Sequence, residues 1–249
     1  MRVIITSDLH ITGPEDPLYL SLLKLITERV HSGDILVLAG DVFDFFVGNK
    51  ELLTSRYRKF IEVLAAADQR GVKIHYIEGN HDFHLTRAFS KIPGLQIHPA
   101  DVSFDLAGKR FYVAHGDLVD PKDYGYKALR GFFRSPVMKA LVSVLPGNWL
   151  DWVGNTSSAA SRKKSPRSPL SLPTDQITRL RTLYRNHAVE KLNLGNDFVV
   201  MGHCHDLDEM SFRIGDRFGQ YINVGYPRAH GSFLSWSKED EKIQRERMP

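Results

Sequence analysis

Five short stretches of this 249-residue chain gather the side chains that hold metal ions: "SDLH" (7–10), "GDVFD" (40–44), "GNHDF" (79–83), "HGD" (115–117) and "GHCH" (202–205). Taken alone, "VVMGHCHD" (199–206) could be a redox site, a structural zinc site, half of a catalytic metal centre, or the end of a core strand. Cys204 is the chain's one cysteine, so no internal disulfide can form, and a reducing compartment is implied. A cysteine-ligated structural zinc site needs more sulfur than that. A lone histidine at a strand end is more often a structural hydrogen-bonding residue than a ligand. Five clusters, each after an apolar strand and most beside a glycine, are hard to explain that way.

Residues two apart on an extended segment point to the same side. Asp8 with His10, and His203 with His205, are therefore expected to present pairs of ligands, with Leu9 and Cys204 pointing away. Asp8, His10, Asp41, Asn80, His115, His203 and His205 make seven nitrogen and oxygen ligands. That is too many for one tetrahedral ion, and it suits two ions about 3.5–4 Å apart that share a carboxylate. The set lacks thiolate and fits Mn²⁺, Fe²⁺, Zn²⁺ or Mg²⁺. Two such ions activate a water and neutralise phosphoryl oxygens.

The elements that must position these residues read as a mixed α/β fold. Apolar runs at 2–7, 34–40 and 72–79 alternate with helical patterns at 18–30 and 52–69. Alternating strands flank Ala107-Gly108-Lys109, a buried strand spans 197–203, and a second hairpin turns at Gly215-Asp216. "GSFLSWS" is expected to be the last strand. In open α/β sheets, ligands bind at the carboxyl ends of strands, where all five clusters fall. The whole chain reads as one domain. Residues 124–173, helical in pattern and then rich in Ser, Pro, Lys and Arg, read as an insertion over its core, and a helix over 175–191 returns to the sheet.

With 42% hydrophobic and 25% charged residues, the composition is that of a soluble globular protein. No stretch is long enough for a membrane span, and the N-terminus does not read as a signal peptide, so a cytoplasmic location is expected. The net charge of +4 is unevenly spread. Residues 127–191 hold twelve Lys or Arg against three acids. Such a segment is either a solvated basic face or a surface for anionic lipid, nucleotide or nucleic acid.

The motif order Asp-x-His, Gly-Asp, Gly-Asn-His-Asp, His-Gly, Gly-His-x-His resembles the calcineurin-like binuclear metallophosphoesterases. That resemblance implies a four-layer αββα sandwich. It implies one metal on Asp8, His10, Asp41 and His205, and another on Asp41, Asn80, His115 and His203. His81 would face the phosphate, oriented by Asp82. A narrower resemblance, carried by "GDVFDFFVG", "GNHDF" and "HGDLVDPKDYGYKALRGFFRSP", is to the UDP-2,3-diacylglucosamine diphosphatases of lipid A synthesis. It implies Mn²⁺, release of UMP and 2,3-diacylglucosamine 1-phosphate, and a peripheral place on the anionic cytoplasmic face of the inner membrane. The insertion would be a lid for acyl chains. Asn80, Asp123, Tyr126, Arg162, Lys163 and Lys164 would contact the substrate. Many of those enzymes carry Arg where this chain has His81, which leaves a nucleotide or phosphodiester hydrolase as the alternative.

Trp149 and Trp152 with Arg130, Arg134 and Lys139 would suit a lipid interface. Nucleic acid fits less well. There is no helix-turn-helix or zinc-finger pattern, and the aromatics sit among aliphatics rather than basic residues. A non-catalytic metal-binding adaptor is the reading from another class, and a complete ligand set argues against it.

Overall fold

The computed structural model describes residues 1–48, 50–144 and 173–249. Strands β1 (Arg2–Thr6), β2 (Ile35–Leu38), β4 (Lys73–Ile77) and β6 (Leu95–His98) run parallel in one sheet. Antiparallel β12 (Ser232–Ser237) and β13 (Gln244–Arg247) extend it, in the order β13-β12-β1-β2-β4-β6. The second sheet contains β7 (Asp101–Leu106), β8 (Lys109–Ala114), β9 (Phe198–Met201), β10 (Glu209–Ile214) and β11 (Arg217–Asn223), in the order β10-β11-β9-β8-β7. β3 (Phe46–Val47) and β5 (Asp82–Phe83) form a short parallel pair.

Side-chain alternation along the strands builds the layers. Val3, Ile5, Val37 and Ile77 face the second sheet and pack with Phe111, Val113, Phe198, Val200 and Ile222. Ile4, Leu36, Leu38, Ile74 and Tyr76 face the other way, towards helices α1 (Pro17–Lys24) and α3 (Arg58–Gln69). Helix α3 buries Phe60, Val63, Leu64 and Ala67, the i, i+3, i+4, i+7 stripe of an amphipathic helix. On the far side, Tyr112, Ala114, Val199, Met201 and Tyr221 pack with Tyr184, Ala188 and Leu192 of α6 (Thr174–Asn193). The four layers are thus helix, sheet, sheet, helix, as the resemblance implies.

Three local expectations change. The helix over 18–30 is α1 followed by a π-helical turn, Leu25–Arg29. The helix over 52–69 breaks at Tyr57, which separates α2 (Glu51–Arg56) from α3. Tyr57 is buried among Tyr19, Phe43 and Phe46, with ring centroids 4.1 Å from Phe43, and seating that ring turns the backbone out of the helix. A last strand, β13, follows the one expected to end the chain. Of the 124–173 segment, α4 (Tyr124–Phe133) and α5 (Pro136–Val144) are described. Arg162, Lys163, Lys164, Trp149 and Trp152 lie outside the described residues.

Candidate metal centre

Parallel strands deliver their carboxyl ends to one rim. Asp8 and His10 follow β1, Asp41 follows β2, Asn80 follows β4, His115 follows β8, and His203 and His205 follow β9. Among the described residues three groups of ligand atoms form there, each within 4.8 Å: Asp8/His10/His205, Asp41/His115/His203, and a third, His10/Asp44/His81, that shares His10 with the first. His205 Nε2 lies 3.4 Å from Asp8 Oδ1 and 3.2 Å from His10 Nε2. His115 Nε2 lies 3.2 Å from His203 Nδ1 and 3.1 Å from Asn80 Oδ1. Asp41 Oδ2 joins the first two clusters, 3.8 Å from His10 Nε2 and 3.5 Å from His115 Nε2. All seven residues expected to be ligands therefore meet at one rim.

The backbone arrives there differently from the extended geometry expected. Asp8, His10, Asp41, His203 and His205 all have left-handed backbones, with φ between 47° and 66°. Asp and His tolerate this region better than most residues, yet each such residue costs on the order of 1–3 kcal/mol. Hydrogen bonds between loops hold it: Asp8 N donates to the Gly40 carbonyl at 3.1 Å, and His10 N to that of Asp41 at 3.0 Å. His203 N donates to the Asp8 carboxylate at 3.0 Å. Leu9 and Cys204 still point away. Leu9 is in the helix-side core, and Cys204 packs against the α6-side core. Burial pushes the Cys204 thiol up to about 12, and its Sγ accepts from Asn223 Nδ2 at 3.1 Å.

Close approach requires glycine at two of the motif positions. A Cβ on Gly79 would collide with Asp41 Oδ1 and the Asp41 amide. One on Gly202 would collide with Asp8 Oδ2 and Ser7 Oγ.

The electrostatics suit cations. Burial opposes the Asp41 charge, but His115, His81 and His10 hold its carboxyl well below the usual range. Burial lowers His115 too, yet Asp41, Asp8 and Asp117 outweigh it and hold that imidazole at about 10. His10 falls to about 3 through burial, and His203 to about 4 through burial and the neighbouring His115. His10 and His203 are thus in the neutral, ligating form, whereas His115 carries a proton that it must release to bind an ion. Two imidazole pairs with facing nitrogens, joined by a buried carboxylate oxygen, fit two divalent ions by donor type and proximity.

His81 reaches the same rim, its Nε2 4.0 Å from Asp41 Oδ2. The residue that orients it is not Asp82. His81 Nδ1 donates to the Asp44 carbonyl at 2.7 Å. The buried Asp82 carboxylate instead accepts the amides of Asp41, Val42 and Gly79, each at 2.9 Å, and the Tyr76 hydroxyl at 2.7 Å. Burial, reinforced by Asp41, pushes Asp82 up to about 7. It braces the Asp41 loop. Asp82→Ala leaves those donors buried without an acceptor and is expected to destabilise the fold by on the order of 3 kcal/mol. Urea unfolding of wild type and variant measures it, and an unchanged midpoint would dismiss the bracing role.

Asp123 caps α4, accepting the Tyr126 amide at 2.9 Å, and is exposed. Tyr126 donates its hydroxyl to Asp117 and lies with its ring centroid 6.2 Å from that of His203. Arg130 and Arg134, expected to face lipid headgroups, turn inward to Asp117 and Glu78. Four further residues shape the site. Asp44 and Asp117 stand inside quoted motifs, "GDVFD" and "HGD", whose other members drew the attention. Tyr226 stacks on His205 with centroids 4.6 Å apart. Arg228 donates to the His10 carbonyl at 2.9 Å and to Asp16 at 2.6 Å. No ligand-type spacing marks those last two.

A family profile described as calcineurin-like phosphoesterase matches residues 1–207. The chain belongs to the calcineurin-like phosphoesterase family. As a member it is a metal-dependent hydrolase. It is similar to the UDP-2,3-diacylglucosamine hydrolase of Nitrosococcus oceani, 27% identical over 90% of this chain and 87% of that one. That of Aeromonas salmonicida is 24% identical over 100% of this chain and 95% of that one. Among solved structures, a novel archaeal phosphodiesterase aligns over 99% of both chains with a TM-score of 0.44 and 14% identity.

Proposed function

We propose that this phosphoesterase hydrolyses the diphosphate of UDP-2,3-diacylglucosamine to UMP and 2,3-diacylglucosamine 1-phosphate, a step of lipid A synthesis, using two divalent ions, Mn²⁺ first among them. Asp41 Oδ2 carries the phosphoesterase chemistry, because it stands between His10 Nε2 (3.8 Å) and His115 Nε2 (3.5 Å) and lets one carboxylate serve both clusters. Asp8, His10, Asp41 and His205 would hold one ion, and Asp41, Asn80, His115 and His203 the other. A bound pair supplies an activated water and neutralises the phosphoryl oxygens. His81 offers a further positive charge or a proton from the adjoining loop. The nucleotide-lipid substrate rests on the UDP-2,3-diacylglucosamine hydrolases that this chain resembles along almost its whole length.

A lipid substrate suits the surface beside the rim. On α4 and α5, Leu129, Phe132, Phe133, Val137 and Leu141 are between 41% and 76% exposed. No described helix is long and apolar enough to cross a membrane. The apolar face and the basic 161–173 stretch of the sequence support residues 124–173 as a lid resting on the anionic inner-membrane surface. Asp123, Tyr126, Arg162, Lys163 and Lys164 are proposed there as substrate contacts.

Purified protein with Mn²⁺ is expected to release UMP from UDP-2,3-diacylglucosamine. No UMP, with brisk turnover of simple phosphodiesters, would favour the second reading. His81 supports that reading, a phosphoesterase of other specificity, because it can donate a proton to a poor leaving group.

A further inference from the structure

Residues 145–172 lie between two helices in the sequence, α4–α5 before and α6 after. Each side grips the rim through two arginines four residues apart, which places them on one helix face. On α4, Arg130 Nε donates to Asp117 Oδ2 at 2.7 Å, and Arg134, the residue that caps the C-terminal end of α4, donates from Nη2 to the Gly79 carbonyl at 2.8 Å. Arg134 Nη1 also stands 3.0 Å from Glu78 Oε2. Gly79 immediately precedes Asn80, and Asp117 follows His115 by two residues. On α6, Arg181 forks onto Asp206 at 2.6 and 2.9 Å, and Arg185 onto Asp208 at 2.9 and 2.5 Å. Asp206 immediately follows His205.

On the carboxylate side these pairs are buried: Asp117, Asp206 and Asp208 are 7%, 4% and 6% exposed, while the side chains of Arg181 and Arg185 stay 38% and 33% exposed. Each carboxylate has given up most of its water and takes part of its compensation from its arginine. The two on α6 are bidentate, the geometry that fixes direction as well as distance. They also sit where restraint is needed. His203 and His205 hold φ of 66° and 56°, conformations that persist only when their surroundings impose them. Cys204 Sγ and the Gly202 carbonyl accept from Asn223 Nδ2, at 3.1 and 3.0 Å, which ties the loop on its inner side. The arginines of α6 hold its outer side.

We propose that Arg134 on one side, and Arg181 with Arg185 on the other, are positioning residues. Through them the helices flanking 145–172 set the geometry of the metal-ligand loops. This rests on the reading of Asn80, His115, His203 and His205 as ligands. Arg134 acts on the Asn80–His81 loop through the Gly79 carbonyl, and the α6 pair acts on the His203–His205 loop. Whatever moves those helices would then alter metal binding without touching a ligand.

The test titrates Mn²⁺ into metal-free full-length protein, reading free Mn²⁺ by electron paramagnetic resonance, with a thermal melt run in parallel. Wild type should take up two ions. Arg181→Gln/Arg185→Gln and, separately, Arg134→Gln should bind Mn²⁺ about tenfold more weakly, the low end of what losing a group bonded directly to a ligand costs, because these arginines hold the ligands' neighbours. Arg181→Lys keeps the charge but loses the fork, so it should fall between wild type and the double variant, and it guards against a double variant that does not fold. Variants that melt earlier yet bind Mn²⁺ like wild type would overturn the proposal and leave the arginines as fold stabilisers. Wild type that binds no Mn²⁺ would overturn the ligand assignment, and this inference with it.

Discussion

Asp41→Asn is expected to lower kcat/KM by about 10²–10³-fold, on the scale of removing one preorganised electrostatic group from an active site. It should also reduce bound metal from two ions to one or fewer. Shape is not the reason, since asparagine is nearly isosteric. Asp41 Oδ1 accepts the His81 amide at 2.9 Å, so that corner demands an acceptor. The amide oxygen of asparagine must take it. The NH₂ group then occupies the place of Oδ2, between His10 Nε2 and His115 Nε2. A donor there repels cations where an anion would bridge them. The loss of charge also removes the group that most favours a protonated His115, which by itself would ease binding there, so the expected loss comes from the missing bridge. Elemental analysis after gel filtration counts the metals, and steady-state assays with Mn²⁺ give kcat/KM. A variant that keeps two ions and normal turnover would end the reading of Asp41 as the carboxylate that serves both ions. An adaptor would keep its cellular role after losing metal, which separates that class from an enzyme.

The rim was legible in sequence because it depends on local features. A buried apolar run followed closely by a ligand-type residue, most often beside a glycine, marks the end of a parallel strand, and parallel strands deliver their ends to one edge. That logic needs no knowledge of which strands are neighbours, so it brings Asp8, Asp41, Asn80, His115 and His203 together. What it misses depends on contacts between distant elements. The left-handed backbones at Asp8, His10, Asp41, His203 and His205 are imposed by bonds between loops, such as His203 N to the Asp8 carboxylate across 195 positions. Asp82 looks like a partner for its neighbour His81, yet its carboxylate turns to the Asp41 and Val42 amides, about 40 residues earlier. Arg130 and Arg134 look like membrane-facing charges until α4 is docked, when Asp117 and Glu78 claim them. The break at Tyr57 is a case of ring packing overriding helix periodicity.

His81→Arg is expected to separate two kinds of substrate. Release of UMP from a diphosphate should stay within about tenfold of wild type, whereas hydrolysis of a phosphodiester with an alkoxide leaving group should fall by about 10²–10⁴-fold, the range of general-acid catalysis. The tautomer follows from geometry. The Asp44 carbonyl can only accept, so the proton of neutral His81 is on Nδ1, 2.7 Å away. Nε2 is then the nitrogen aimed at the rim, 4.0 Å from Asp41 Oδ2, and it becomes a proton donor when the ring is doubly protonated. An alkoxide needs that proton. A lipid phosphate does not, because its second pKa is about 6 and it departs as an anion. Arginine never gives up its proton in a protein, but it neutralises charge as well as imidazolium does. It therefore replaces His81 where charge is the whole task and fails where a proton must be delivered. Equal losses on both substrates would mean that His81 acts through position alone, and no loss on either would place it outside the chemistry. A selective loss on the alkoxide substrate would identify the proton as what this histidine adds to the metal pair.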